Sequence, residues 1–396
     1  HSNMTDYDVA VIGGGPSGAY AAGLLAGHGL VTGLFEKREP ADIMPACTGV
    51  VGLPYLGLVD AARSVVVSEA RSVVFVAPSG RTMRVQAGQT QAWVLDRTAL
   101  ELELMRRAGA CGADVHTGSV VQQTTRLADG VRITVRHGSR EEQYSARAVV
   151  VACGTNPSIT EALGLGSPKR HLVGSHAIVE MDGLPETEIY LMQHIERGAF
   201  GWLVPTDDGY ARAGALSCHG SGPSLLGLLD RPDVKRRLRA PGGDVTRRPI
   251  PIAPLPCGHS DGVVVVGDAL GVAKPTTGGG LYFGAVTVRS AVNALVRGFE
   301  RGDLSASALA MHDRVWMHQL GDELRRGRML RSIYSRMGPG FVDRIIAGAA
   351  RTDVAGRLVA RSGFSFDRHT SVLVWGLIAG LGASLIPAPM QSRSRQ

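Results

Sequence analysis

The sequence predicts a mixed α/β protein (α+β overall) with a Rossmann-like nucleotide-binding domain, a β-sheet domain and a helical C-terminal region. Three observations lead to this fold class. The chain opens with an apolar strand, a glycine cluster, a helix and a second strand. A later apolar run, Val263–Val266, ends on Gly267 and Asp268, and the residues after 303 have mainly helical periodicity. A strand–helix–strand order at a glycine-rich turn is typical of a parallel sheet that binds a nucleotide.

The composition fits a large globular protein. Its 396 residues are 44% hydrophobic, which is enough for an extensive core and for two packed domains. The formal net charge is +7, and part of the excess lies in Arg325, Arg326, Arg328 and Arg331. We expect a solvated helix face there; the alternative is attraction to anionic lipid or to a pyrophosphate-bearing substrate. Aromatic residues are not interleaved with these charges, which argues against a nucleic-acid partner.

Cysteine and histidine usage predicts neither disulfides nor a metal site. The five cysteines are odd in number and have no CxxC spacing, which indicates a reducing cytoplasm. His312 and His318 share one helical stretch and are expected on the surface. The first strand begins within the first ten residues, so we expect no signal peptide. The predicted location is the cytoplasm, with membrane contact through Ser371–Pro387 as an option.

Each element of the first half follows from a local pattern. These patterns predict a strand at 7–13, a helix at Ser17–Ala26, a strand at Val31–Glu36, a β-ribbon at 65–94, a helix at Asp96–Gly109 capped by Asp96, and strands at 115–121, 131–137 and 143–152. The turn at Asp129-Gly130 makes the last three strands a β-meander that returns to the nucleotide-binding domain.

The second half is predicted to form a sheet and then helices. The expected elements are strands at Ile178–Met181, Glu188–Met192 and Gly201–Pro205, a helix at 223–239 and a long helix at Gly280–Gly298. The uncharged run Ser371–Pro387 is slightly shorter than the roughly 20 residues of a membrane span, so we expect a buried or interfacial helix. The predicted domains are 4–170 plus 258–300 (FAD-binding, with part of 50–95 contributing to the substrate domain), 171–257 (substrate) and 301–396 (helical).

The first glycine cluster is predicted to bind a dinucleotide. It comprises Gly13, Gly15, Pro16, Ser17 and Gly18, follows a strand and opens a helix whose free N–H groups point at a pyrophosphate. Glu36 ends the next strand, where its carboxylate can accept from ribose hydroxyls and disfavours a 2′-phosphate; Lys37 follows it. A merely tight turn between strand and helix does not explain Glu36.

A second glycine-rich loop completes the predicted cofactor site. Asp268 follows a buried strand and can accept from a ribityl hydroxyl. The loop after it contains Pro275, Gly278, Gly279, Gly280 and Leu281 and opens a helix. A helix N-terminus at the edge of a flavin ring would stabilise negative charge on its reduction. Two distant segments holding one flat dinucleotide favour FAD over NAD.

The chain resembles the geranylgeranyl reductase family of flavoenzymes, which has the p-hydroxybenzoate hydroxylase fold. The resemblance rests on Gly13–Gly18 with Glu36-Lys37, on Pro45–Gly49, on Gly201–Pro205 and on Gly267–Gly284. It implies FAD-dependent reduction of isolated C=C bonds in a polyprenyl chain, with hydride from the flavin and a proton at the other carbon. The implied partners are a polyprenyl lipid or diphosphate and an electron donor, either NAD(P)H or a protein such as ferredoxin.

The resemblance also implies roles for individual residues. Cys47, with Thr48 and Gly49, would lie beside the flavin; the competing interpretation for Cys47 is a small buried hydrophobe. Tyr282 is a second catalytic candidate. Beyond the segments already named, the implied contacts are Arg97 and Val121 for the cofactor and Trp202, Pro205, Tyr282 and Phe283 for the substrate. For Trp202, Tyr282 and Phe283 the alternative is ordinary packing, and for Arg97 it is a surface position.

The chain departs from the hydroxylases of this fold at one segment, and two alternatives to a reductase remain. Those enzymes carry an Asp-Gly segment where this chain reads Cys153-Gly154-Thr155-Asn156. The missing carboxylate argues against an NAD(P)H-driven hydroxylase. A flavin monooxygenase or tailoring oxidase of a secondary metabolite remains the main alternative, ahead of a non-enzymatic FAD-binding module.

Overall fold

The structure is a computed structural model that describes residues 6–86, 88–206, 209–218, 224–240, 243–352, 365–370 and 373. The apolar run Ser371–Pro387 therefore lies outside the described residues, apart from Leu373. No helix within the described ranges is both long and apolar enough to cross a bilayer.

The first half alternates strands with two long helices, which its patterns predict at Ser17–Ala26 and Asp96–Gly109, and with two short helices that the patterns do not predict. Its elements in chain order are β1 (Tyr7–Ile12), α1 (Pro16–Gly27), β2 (Thr32–Phe35), β3 (Val50–Gly52), α2 (Pro54–Val59), β4 (Val66–Ala70), β5 (Ser72–Val76), β6 (Thr82–Gln86), β7 (Ala92–Leu95), α3 (Arg97–Ala110), β8 (Asp114–His116), β9 (Ser119–Leu127), β10 (Gly130–His137), β11 (Arg140–Val151) and α4 (Ser158–Ala162). Asp96 caps α3 by accepting the N–H of Ala99 at 2.9 Å, as its position predicts.

The second half is a run of strands followed by helices. Its elements are β12 (His171–Glu180), β13 (Thr187–Leu191), β14 (Phe200–Pro205), β15 (Tyr210–Ser217), α5 (Ser224–Leu229), α6 (Pro232–Lys235), β16 (Thr246–Pro251), β17 (His259–Ser260), β18 (Val263–Val265), α7 (Leu281–Arg301), α8 (Ala306–Leu309), α9 (Met311–Arg336) and α10 (Pro339–Thr352). Short 3-10 turns occur at Pro40–Asp42, Arg63–Val65 and Gly267–Ala269.

The nucleotide-binding sheet confirms the predicted fold class. Its strand order is β17-β18-β11-β1-β2-β8, and β9 and β10 extend from β11 as an antiparallel meander. The pairs β1·β2, β1·β11, β11·β18 and β2·β8 are parallel. The apolar run Val263–Val266 thus lies in the same sheet as the first strand, which brings the two glycine segments to one edge.

A second sheet lies outside the nucleotide-binding layer. Its order is β16-β12-β15-β14-β13-β5-β6, so the ribbon at 72–86 joins strands from beyond residue 171. A third sheet, β3-β7-β4, lies next to the start of α3. We retain the division into cofactor, substrate and helical parts as a proposal.

The helix expected at 223–239 is wrong in its extent. Within 224–240 the chain forms two short helices, α5 and α6, separated at Arg231-Pro232. Proline has no N–H and disfavours the helical conformation in the residue before it. Arg231 accordingly adopts φ −57° and ψ 135°, and α6 starts anew at the proline.

The surface position expected for His312 is also wrong. His312 has no exposed surface, because α9 packs it between α7 and the nucleotide-binding sheet. Its Nε2–H donates to the carbonyl of Val265 at 2.9 Å, and its Nδ1 lies 2.8 Å from Ser290 Oγ. Burial lowers the pKa of His312 to about 4, so the imidazole is neutral in the fold. His318, on the outer face of the same helix, is exposed as expected.

We predict that His312 makes folding stability depend on pH. An unfolded histidine binds a proton below about pH 6.5, whereas His312 resists protonation until about pH 4. The free energy of unfolding should therefore fall between pH 6.5 and pH 4, by up to about 1.4 kcal/mol per pH unit from this residue. Denaturant titrations should show a shallower fall for His312→Asn than for the original protein. His318→Asn is the control, and an identical slope in all three proteins would contradict the assignment.

Candidate cofactor and substrate site

The two glycine segments meet at the start of α1. A Cβ on Gly267, whose φ is +63°, would lie 2.7 Å from Ser17 Oγ, and one on Gly284 would lie 2.6 Å from the same atom. Side chains at either position would push the second segment away from α1. Glycine at these positions therefore allows residues far apart in sequence to share one cleft.

The first glycine cluster leaves space where a phosphate would approach. Gly13 has φ +101°, and its Cβ would lie 2.4 Å from the carbonyl oxygen of Ala152. A Cβ on Gly18 would lie 1.8 Å from the carbonyl oxygen of Gly13, whereas Gly15 faces open space. α1 begins at Pro16 without a side-chain cap or an acidic residue in its first turn. Its N-terminal N–H groups are therefore available to an anion.

Glu36 presents an ionised carboxylate at the end of β2. Its Oε2 accepts the N–H of Gly14 at 2.6 Å, and its Oε1 accepts from Arg38 Nε at 2.6 Å. Burial alone would raise the pKa of Glu36, but the hydrogen bonds and charge of Arg38 outweigh it and the pKa is lowered. The spare acceptor capacity of a carboxylate suits the ribose hydroxyls that the sequence assigns to it. Lys37, next in the chain, is exposed.

Arg38 and Glu101 belong to this site and were missed by the sequence analysis. Glu101 is buried and accepts from Arg38 Nη2 at 3.0 Å and from Arg97 Nη2 at 2.7 Å. The Arg97–Glu101 pair has i,i+4 helical spacing, which was a usable signal. The contact of Arg38 with α3 is long-range and has no local signature. The Arg97 side chain is largely buried, so the surface position given as the alternative for Arg97 is wrong.

Asp268 points a carboxylate into the cleft. Its side chain is accessible, and none of the described residues donates a hydrogen bond to the carboxylate. Gly280 approaches so closely that a Cβ there would lie 2.8 Å from Asp268 Oδ1. Burial among the surrounding protein atoms raises the pKa of Asp268, while the positive charges of Arg97 and Arg248 oppose that rise. A partly enclosed carboxylate without a protein donor suits a hydroxyl-bearing ligand.

The second glycine loop is held rigidly behind this carboxylate. The Lys274 and Gly278 N–H groups donate to the carbonyls of Gly279 at 3.0 Å and Lys274 at 2.8 Å. α7 then starts at Leu281 with no side-chain cap and no acidic residue in its first turn. Lys274 is buried, and its Nζ lies 3.1 Å from the carbonyl of Phe366 and 3.5 Å from Asp367 Oδ1. The loop is therefore fixed by residues 365–370.

The Cys47–Gly49 loop is clamped from the second sheet. Trp202 Nε1 donates to Thr48 Oγ1 at 2.7 Å, and Arg212 Nη1 donates to the Thr48 carbonyl at 2.7 Å. Gly49 has φ +77°, and its Cβ would lie 3.3 Å from Arg97 Cγ. Electrostatic attraction from Cys47 and Glu101 raises the pKa of Arg97 despite burial, which locates Cys47 beside that guanidinium. Cys47, Arg97 and Asp268 therefore lie in one neighbourhood.

An apolar surface of the second sheet lies against the glycine loop. A Cβ on Gly278 would lie 3.1 Å from Ile250 and 3.3 Å from Leu216. Leu216 belongs to a buried cluster with Leu172, Phe200 and Ile252, against which Trp202 and Ile250 pack. We call this set the apolar cluster; it adjoins the loop that would carry the flavin ring.

The remaining predicted residues take different places. Tyr282 is partly buried, with its ring 6.1 Å from that of Phe283 and with the Arg368 guanidinium 5.9 Å above it. Phe283 has no exposed surface and packs into the core of the nucleotide-binding sheet, as its packing alternative expects, and its substrate contact stays a prediction. Pro205 lies at the far end of β14, and Val121 is partly buried on β9. Their roles in binding stay predictions.

One cluster of described residues has the composition of a metal site. Cys257, His259 and Asp313 bring one ligand atom each within 4.8 Å of the others. The Asp313 carboxylate is already engaged, because it accepts from the Gly258 N–H at 2.9 Å, from Trp316 Nε1 at 2.8 Å and from His259 Nδ1 at 2.8 Å. These hydrogen bonds join the β17 hairpin to α9, which is sufficient reason for the cluster.

We predict that Asp268→Ala weakens retention of FAD. A charge-assisted hydrogen bond contributes about 1.5–3 kcal/mol, which corresponds to a roughly 10- to 150-fold higher Kd. Flavin content after gel filtration and titration of the apoprotein with FAD both measure this. Asp129→Ala, in the exposed β9–β10 turn, is the control. Equal flavin content in the two variants would rule out the proposed contact of Asp268.

Comparison with known proteins places this geometry in a family. Residues 6–213 match the family described as FAD binding domain. A digeranylgeranylglycerophospholipid reductase of Methanospirillum hungatei is 27% identical over 371 residues, covering 88% of this chain and 91% of that protein. A chloroplastic geranylgeranyl diphosphate reductase of Nicotiana tabacum is 26% identical over 322 residues, covering 76% and 68% of the two chains.

A solved structure has the same fold. The crystal structure of a geranylgeranyl bacteriochlorophyll reductase-like protein from Thermoplasma acidophilum matches with a TM-score of 0.83 and 21% identity, covering 97% of this chain and all of that one. The open approach at Gly15, the uncapped starts of α1 and α7 and the unpartnered Asp268 carboxylate fit FAD. Since the family match spans more than half of the 396 residues, the chain belongs to the FAD binding domain family and is an FAD-dependent oxidoreductase.

Proposed function

We propose that this protein reduces isolated C=C bonds in a polyprenyl chain. The observation that carries the proposal is the convergence of the Cys47–Gly49 loop, Asp268 and the glycine loop beside the apolar cluster. An isoprenoid chain has no polar group near its double bonds, so it must be held by apolar surface. The relatives named as reductases of geranylgeranyl compounds support the same substrate class.

The protein supplies two things for this reaction: a surface that orients the alkene and a group that donates a proton. When bound, reduced FAD supplies the hydride. Trp202 and Ile250, which are partly buried members of the apolar cluster, hold the isoprenoid chain and exclude water, so that the double bond has one orientation. The Cys47 thiol can give its proton to the second alkene carbon, with the Arg97 guanidinium as the cation beside the sulfur. The clamp from Trp202 and Arg212 fixes the loop that carries the thiol.

Anaerobic turnover tests the proposal. The purified protein is loaded with FAD, reduced with dithionite and mixed with geranylgeranyl diphosphate in the absence of oxygen. We expect the flavin to reoxidise and the product to gain two daltons per reduced bond. If the flavin stays reduced in that mixture, and a second sample given oxygen and an aromatic compound reoxidises with a gain of sixteen daltons on the aromatic compound, the protein is a monooxygenase. If no FAD is bound, neither activity stands.

We predict that Cys47→Ala retains FAD but slows alkene reduction by about 10²- to 10⁴-fold, the usual contribution of a general acid. Cys111→Ala is the matched control, because Cys111 is exposed at the end of α3. Flavin content and single-turnover rates separate binding from chemistry. Unchanged turnover in Cys47→Ala would return Cys47 to a packing role.

A further inference from the structure

Arg331 of α9 is a buried cation that has no counter-charge among the described residues. Its side chain lies inside the protein, with 6% of the residue exposed. Its Nη2 lies 3.2 Å from Cys218 Sγ, and its guanidinium carbon lies 5.6 Å from the Phe200 ring centre. Its Nε finds no acceptor, and no carboxylate of the described residues forms an ion pair with it. A thiol and a ring are weak partners for a charge removed from water.

Arg328, one helical turn earlier, repeats this pattern. Its Nη1 is buried and has no acceptor, and it too forms no ion pair with the described residues. Burial lowers the pKa of Arg328, and repulsion from Arg170 and Arg325 lowers it further. By contrast, Arg325 and Arg326, on the outer face of α9, are exposed and lie 2.6 and 3.9 Å from Asp322. The basic run is thus divided into a solvated pair, Arg325 and Arg326, and an inward pair, Arg328 and Arg331.

The inward pair lies beside the proposed reaction cleft. Between the two pairs, a Cβ on Gly327 would lie 3.1 Å from Pro275 of the glycine loop. The Arg170 carbonyl accepts the N–H of Ile252, a member of the apolar cluster. Phe200, under Arg331, belongs to the same cluster. The arginines therefore border the apolar surface that would hold an isoprenoid chain.

This arrangement has a physical cost that binding of an anion would offset. Buried guanidinium donors without acceptors destabilise a fold, and mutual repulsion among Arg170, Arg325 and Arg328 adds to the cost. Guanidinium forks match the oxygens of phosphate in both charge and geometry. An apolar surface that ends in unpaired arginines is complementary to a molecule with an apolar chain and a phosphorylated end.

We propose that Arg328 and Arg331 bind the phosphate or diphosphate group at the polar end of the substrate, with Arg170 as a third contact. That this group is attached to a polyprenyl chain rests on the proposed function; binding of the anion by these arginines does not. The sources of such a group are a free prenyl diphosphate and a phospholipid head group.

Calorimetric titration of the FAD-loaded protein with inorganic pyrophosphate tests the anion site. We expect saturable binding to one site, weakened at least about tenfold in Arg331→Met and in Arg328→Gln. The double variant Arg325→Gln/Arg326→Gln is the control and should bind as the original protein does. Arg331→Met replaces the guanidinium by an unbranched apolar side chain and removes a buried charge, so we expect it to fold. Arg328 is partly exposed and gives a second, independent variant. Circular dichroism and flavin content verify folding.

The outcomes separate this proposal from the proposed function. Absence of saturable pyrophosphate binding by the original protein, or equal affinity in the inward variants, overturns the anion site whether or not alkenes are reduced. Saturable binding that the inward variants lose, in a protein that reduces no alkene, supports the site and refutes the reductase. If the protein reduces alkenes, Arg331→Met and Arg328→Gln should each raise KM at least about tenfold for geranylgeranyl diphosphate but not for geranylgeraniol. Glycerol 3-phosphate, compared with pyrophosphate as a ligand, distinguishes a phospholipid source from a prenyl diphosphate.

Discussion

Close contact between α1 and the segment after β18 is the constraint on which the rest of the site depends. Ser17 occupies the space that side chains at Gly267 and Gly284 would need. In the same way, a side chain at Gly13 would collide with the carbonyl of Ala152. Parallel pairing brings the ends of β1, β11 and β18 to one edge, and we propose that the cofactor binds along that edge.

Charge is arranged unevenly around this cleft. We propose that the carboxylates of Glu36 and Asp268 bind hydroxyl groups of the cofactor, and the positive charge of Arg97 acts on both Asp268 and Cys47. Towards the second sheet, the apolar cluster adjoins the glycine loop, and Arg170, Arg325 and Arg328 repel one another nearby. One side of the cleft therefore suits polar groups and the other suits apolar groups. This asymmetry agrees with membership of the FAD binding domain family.

The sequence predicts the local parts of this structure well. The glycine turns, the Asp96 cap and the meander at Asp129-Gly130 each have a short-range signature, because backbone conformation and capping depend on neighbouring residues. The sequence does not reveal contacts made across the fold. The burial of His312, the packing of Phe283 and the Arg38–Glu101 ion pair depend on which helix faces which sheet. The break before Pro232 has a local signature, because proline lacks the N–H that a continuous helix needs, whereas the helical periodicity around it extends across both short helices.

The Lys274–Asp367 ion pair has a consequence for the order in which the molecule is completed. Asp367 Oδ2 also accepts the N–H of Gly52, and Phe366 is 92 residues beyond the lysine it contacts. The segment at 365–370 therefore joins the glycine loop to β3, and this segment is synthesised after both of them. Both Gly52 and Lys274 are thus synthesised before the residue that joins them, and this side of the cleft stays open until Asp367 has docked.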